Sequence, residues 1–159
     1  MASVLLLAAA VTMAQTPPPA NAVVETSHLT VTTSAGTAGA GGRVPLYVDI
    51  AMKPKMHVYA PGEKDAIPVT LTLTPDETIK VTPAEFPAPE KYYFEPIKLT
   101  QLVYSKPFRI TQLVTVAAPA SRSAGATRVV KGVLRYQACD DKVCYVPKSV
   151  PLSWTLPIR

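Results

Sequence analysis

Short alternating runs dominate the chain. In 44–52 (VPLYVDIAM), Val44, Leu46, Val48, Ile50 and Met52 share one face of an extended segment, with Tyr47 and Asp49 on the other. In 67–74, Val69, Leu71 and Leu73 alternate with Thr70, Thr72 and Thr74. Residues 22–33 alternate in their second half, where Leu29 and Val31 oppose Thr30 and Thr32. Further runs lie at 79–83, 99–104, 108–116, 127–138 and 145–156. A period of two marks strands with one buried face. Turn signals separate the runs: SAGTAGAGG at 34–42, Pro75-Asp76-Glu77, and the proline-rich 86–89. No stretch carries a convincing helical period. About seven to nine short strands in one chain predict an all-β, immunoglobulin-like β-sandwich.

Composition agrees. With 159 residues and 48% apolar content, the chain can bury a core as one domain. Proline is high at 17 and glycine low at 7, which favours strands, edges and turns over helices. The net charge of +5 is scattered, with no basic run interleaved with aromatics, so nucleic acid is not an expected partner.

The first residues change the picture by placing the chain outside the cytoplasm. Residues 4–11 (VLLLAAAV) have the size of an export-signal core, and Thr12-Met13-Ala14 offers a small-residue cleavage site, although no Lys or Arg precedes the run. The run falls short of the roughly 20 residues that span a bilayer. The expected division is a signal peptide at 1–14, a disordered proline-rich linker at 15–24, and one domain at 25–159. Export implies an oxidising compartment, where a disulfide can persist.

Two stretches carry candidate chemistry. In 54–62, His57 and Tyr59 fall on the same side of an extended segment. In 90–96, Tyr92, Tyr93 and Phe94 follow one another between prolines. A regular strand buries only alternate rings, so at least one of the three must be exposed or cover something.

Both cysteines stand in YQACDDKVCYVP at 136–147. If 140–143 form a four-residue hairpin loop, Cys139 and Cys144 are its closing pair, with Cα atoms about 4.5–5.5 Å apart and within disulfide range. A ring of about six residues gives only about 2 kcal/mol on the chain-entropy model, against about 3 kcal/mol for about 15 residues. Such a local bridge suits exchange better than bracing, although a structural staple stays open. Asp140 and Asp141 disfavour a thiolate and Lys142 partly offsets them, so the very low thiol pKa of a strong oxidant is not expected. A third reading is a soft-metal site from Cys139, Cys144 and His57 or His28, for which no second cysteine cluster speaks. A non-enzymatic binding module with a structural hairpin disulfide is the alternative function.

Tyr136-Gln137-Ala138-Cys139 and Cys144-Tyr145-Val146-Pro147 resemble the Y-Q-x-C…C-Y-x-P signature of the N-terminal periplasmic domain of DsbD-type thiol:disulfide interchange proteins. Ser149-Val150-Pro151-Leu152 is similar to that domain's last strand, and His57-Val58-Tyr59 to its segment with a tyrosine near the cysteines. Glu90-Lys91-Tyr92-Tyr93 lies where the family has a cap loop that shields the disulfide. The resemblance implies an immunoglobulin-like fold and a periplasmic electron relay. Cys139 and Cys144 would be the redox pair, with Tyr59, Tyr92, Tyr93 and His57 as neighbours or cap. It implies thioredoxin-like proteins and a DsbD-type membrane electron carrier as partners. A monomer with no cofactor, metal or small-molecule substrate is expected. One residue fewer separates the cysteines than in the best-known member, and no thioredoxin domain or membrane span occurs in the chain, so its electron donor is expected to be another protein.

Overall fold

The computed structural model describes residues 22–95, 98–117 and 127–157. The signal peptide expected at 1–14 lies outside them, as do most of the expected linker and nearly all of the segment between the runs at 108–116 and 127–138. Among the described residues, twelve strands follow in chain order. They are β1 (Ala22–Glu25), β2 (Leu29–Ala35), β3 (Arg43–Met52), β4 (His57–Tyr59), β5 (Thr70–Leu73), β6 (Ile79–Val81), β7 (Glu90–Phe94), β8 (Leu99–Tyr104), β9 (Phe108–Val116), β10 (Thr127–Tyr136), β11 (Ala138–Cys139) and β12 (Lys148–Pro157). The count exceeds the expected seven to nine because β1, β4, β6 and β11 are short pieces. β1 starts at Ala22, inside the segment expected as linker, because its backbone pairs with β2 from Ala22↔Thr33 to Glu25↔Thr30.

One layer is a five-stranded sheet in the order β1-β2-β3-β9-β6. The other consists of two smaller sheets, β12-β10-β5 and β11-β4-β8-β7. All pairings are antiparallel, and the two layers make the immunoglobulin-like sandwich that the alternation predicts. The period of two decides what is inside. Val44, Leu46, Val48 and Ile50 of β3 are buried, and so are Val150, Leu152, Trp154 and Leu156 of β12. A fully buried side chain of this kind contributes about 1.5–3 kcal/mol. Polar bonds fix how the layers meet. The fully buried Trp154 donates its indole N–H to the Tyr47 carbonyl (3.1 Å), and Thr33 donates to the Ser153 carbonyl (3.0 Å).

The run at 127–138 is divided between two strands, and the run at 145–156 enters its strand only at Lys148. β10 pairs with β12 from Thr127↔Pro157 to Tyr136↔Lys148. After Tyr136 the chain leaves that sheet, and Ala138 and Cys139 pair with β4 in the neighbouring one. Gln137 sits at the handover. Its side-chain oxygen accepts from the Ile67 amide (3.3 Å), and its amide nitrogen donates to the Tyr145 carbonyl (3.2 Å). The backbone groups freed by the break therefore keep partners.

Gly132 of β10 marks the closest approach in this sheet. A Cβ there would lie 2.9 Å from the Thr72 carbonyl oxygen, 2.9 Å from Leu73 Cδ2 and 3.3 Å from the Trp154 ring. The neighbouring backbone cannot yield as a flexible side chain would. Gly132→Ala should therefore lower the unfolding free energy by about 1–3 kcal/mol, read from urea denaturation followed by Trp154 fluorescence.

Candidate functional site

The handover at Gln137 sets up the cysteines. Cys139 and Cys144 form an antiparallel bridge and are joined by a disulfide, with their Cα atoms 4.0 Å apart. The flanking bonds run from the Asp140 amide to the Val143 carbonyl (3.0 Å) and from the Tyr145 amide to the Ala138 carbonyl (2.8 Å). The two cysteines are therefore a non-hydrogen-bonded pair, the closer of the two kinds of cross-strand pair. The loop at 140–143 is held by one carboxylate. Asp140 Oδ1 accepts from the amides of Lys142 (2.8 Å) and Val143 (2.9 Å), and its Oδ2 accepts from the Tyr145 hydroxyl (2.8 Å). These bonds hold the Asp140 carboxyl below its ordinary range, the backbone amides contributing most.

Between Cys139↔Cys144 and Tyr136↔Lys148, Gln137 and Ala138 face three residues, Tyr145, Val146 and Pro147. The extra residue is a bulge, a device that re-aims a strand. Its result is asymmetry: Cys139 is 1% exposed, whereas Cys144 lies on the surface.

Tyr59 of β4 reaches both sulfurs. Its hydroxyl lies 3.3 Å from Cys139 Sγ and 3.2 Å from Cys144 Sγ. A disulfide carries no proton, so the phenol is the donor in this state, and it accepts in turn from the amide of the buried Gln101 (3.4 Å). Burial pushes the Tyr59 hydroxyl above its ordinary pKa, which keeps its proton in place at neutral pH. His57 is the register partner of Cys139. Its ring meets Tyr59 edge-on at 6.0 Å and Tyr92 at 4.9 Å.

A pocket of about 110 Å³ opens beside the sulfurs, lined among others by Tyr59, Phe94, Gln101, Cys139 and Cys144. The aromatic stretch is a regular strand here, not the aperiodic loop expected for a cap. β7 pairs with β8 throughout and alternates half-buried and exposed residues. Tyr92 and Phe94 thus share the inward face. Tyr92 packs on Tyr59, Val103 and Cys139, and Phe94 stacks on it at 6.3 Å. Tyr93 is 54% exposed on the other face and does not reach the site. Sequence reasoning missed Phe94 and Gln101. For Phe94 the signal was the i, i+2 relation to Tyr92. For Gln101 it was a lone amide on the face of β8 that also carries Val103.

The other histidine lies elsewhere. His28, the alternative to His57 in the metal reading, stacks on Tyr145 at 4.5 Å and faces Tyr136, whereas His57 lines the sulfur pocket. Among the described residues, no group of three His, Cys, Asp or Glu side chains is placed to hold a metal ion.

Fold and site together define an immunoglobulin-like domain with a disulfide between a buried and an exposed cysteine at one end of a sheet. The chain belongs to the family described as thiol:disulfide interchange protein DsbD, N-terminal, which it matches over residues 20–152. Among solved structures it is similar to the N-terminal periplasmic domain of ScsB from Proteus mirabilis, with 15% identity and a TM-score of 0.61 over 87% of this chain. It spans about half of that protein's chain, 51%. It is also similar to the Neisseria meningitidis DsbD N-terminal domain in the reduced form, with 17% identity and a TM-score of 0.51 over 79% of this chain and 85% of that one. No curated protein matches the sequence. Among the described residues, no helix is long and apolar enough to cross a membrane.

Burial lowers the pKa of both histidines from 6.5, and burial is the largest cause in each. Lys148 lowers His28 further, while Asp141 and Asp140 pull His57 partly back. The folded state thus prefers the neutral rings, and the unfolded chain binds protons first. Stability from this source is full above about pH 6.5 and declines as pH falls below it. The urea midpoint should be lower at pH 5 than at pH 7, and His57→Gln should reduce that difference.

Proposed function

We propose that this chain is an exported, periplasmic thiol–disulfide exchange module whose Cys139–Cys144 pair cycles between disulfide and dithiol. The observation that carries the reading is the unequal exposure of the two cysteines at a sheet edge. A partner thiolate attacks Cys144 Sγ, the sulfur on the exposed residue. A bond forms between the two sulfurs, the Cys139–Cys144 bond breaks, and its electron pair leaves on Cys139 Sγ. Tyr59, oriented by Gln101, donates its O–H to that sulfur as charge develops and so stabilises the leaving thiolate. The partner's second thiol then attacks its own sulfur in the mixed disulfide and releases Cys144. The partner has lost two electrons and the pair has gained them. In the opposite half of the cycle Cys144 attacks a target disulfide and Cys139 resolves the intermediate. The partners are protein thiols of the thioredoxin-like kind, with a membrane electron carrier as the upstream source. The reduced form in which the Neisseria meningitidis domain was crystallised agrees with a pair that opens.

Phe94 lines the sulfur pocket, and Tyr92 stacks on Phe94 and packs against the cluster of Tyr59, Val103 and Cys139, so the two rings limit access to the disulfide, the cap role that the family resemblance implied for Tyr92 and Tyr93. Phe94→Ala should speed reduction of the pair by dithiothreitol several-fold, measured by thiol trapping, with no loss of fold.

Two serine variants test the direction of attack. Cys139→Ser leaves the exposed thiol alone and should accumulate a mixed disulfide with oxidised thioredoxin on non-reducing gels. Cys144→Ser should not. Titration of the wild-type pair against glutathione should give a potential above about −300 mV, the region of exchangeable disulfides. A lower potential, with no adduct from either variant, would make the bridge a structural staple.

A further inference from the structure

The segment around Cys144 is an unfilled place in a sheet. Through Cys139↔Cys144 the chain adds an outer row to the sheet β11-β4-β8-β7. The bonds to β11 use the carbonyl of Val143 and the amide of Tyr145. In such a pair the N–H and C=O of Cys144 itself point away from β11. Neither has a hydrogen-bond partner among the described residues, and the same holds for the backbone of Val146. Val146 is 82% exposed and Val143 53% exposed, so the edge is also apolar. Pro147 ends the row, because it has no N–H to offer.

The exchange reaction fixes where a partner's backbone must run. Two Cα atoms joined through a disulfide lie about 4.4–6.8 Å apart. Adjacent strands lie about 4.7–4.9 Å apart. A partner cysteine bonded to Cys144 therefore sits at the distance of a neighbouring strand, on the side where the two backbones have no partners.

We infer that the exposed edge at Cys144 and Val146 is a docking strand. The protein partner lays an extended segment alongside it and exchanges main-chain hydrogen bonds with Cys144 and Val146 while its sulfur bonds to Cys144. This inference rests on the exchange reading above and adds how a protein is told from a small thiol. Main-chain bonds carry no side-chain code, so they admit any partner whose reactive cysteine is flanked by a free extended backbone.

Val146→Pro removes one N–H from the edge. Val146 already precedes a proline, so its backbone is held extended, and its exposed side chain packs on little. Val146→Ala keeps the N–H and removes the apolar side chain. The oxidised wild-type, V146P and V146A proteins are each reduced with dithiothreitol and with reduced thioredoxin, and the rates are compared. V146P should slow the thioredoxin reaction by about three- to tenfold, the worth of about one hydrogen bond, and leave the dithiothreitol rate unchanged. V146A should change either rate less than twofold. An unchanged thioredoxin rate in V146P overturns the inference, as does an equal loss in V146A, which would make the contact a side-chain one. If wild type is inert to dithiothreitol as well, the exchange reading itself fails.

Discussion

The site depends on one handover. β10 pairs with β12 along its whole length and with β5 from Gly132 to Arg135, and then the chain crosses at Gln137 into the neighbouring sheet and pairs with β4. Had it run on between β12 and β5, both cysteines would lie in one regular ladder and share one environment. The crossing instead presses Cys139 against Tyr59, while the bulge on the returning chain leaves Cys144 at the rim. One disulfide thus joins a buried cysteine to an exposed one. Gln137 makes this possible at low cost, because its side chain takes the bonds that the interrupted ladder would have supplied.

The polar groups around the sulfurs follow the same logic. A buried phenol needs a partner, and Tyr59 finds three: Gln101 and the two sulfurs. Asp140 lines the sulfur pocket, but its carboxylate oxygens already accept from the amides of Lys142 and Val143 and from the Tyr145 hydroxyl. A negative charge developing on Cys139 meets the O–H of Tyr59, 3.3 Å away. The low dielectric beneath the pair strengthens that hydrogen bond, and the Tyr59 hydroxyl, raised in pKa by its burial, does not give up its proton.

Much of this was legible in the sequence. The alternation in Val44, Leu46, Val48 and Ile50 placed β3 correctly, and the spacing of Cys139 and Cys144 gave the closing pair of a turn. The handover was not legible, because burial continues at every second residue through Leu134, Tyr136 and Ala138. Periodicity reports which face is covered but not which sheet supplies the neighbour. Tyr92, Tyr93 and Phe94 hid their parity for another reason. Three aromatics have nearly the same hydrophobicity, so no alternation shows, and only the backbone pairing with β8 decides that Phe94 turns inward and Tyr93 outward.

The turn does not need its disulfide to stay closed. Two backbone bonds span it, Asp140 ties its own loop, and the Tyr145 hydroxyl fastens that carboxylate to the returning chain. Tyr145 is anchored from behind by the ring of the buried His28. Against these bonds, the entropy removed from the unfolded chain by so small a ring is worth only about 2 kcal/mol. The oxidised and reduced states can therefore share one backbone. A pair that must open and close repeatedly is best placed where its opening releases nothing else. That condition is met by a cross-strand pair already closed by its hydrogen bonds, and not by a bridge that holds two sheets together.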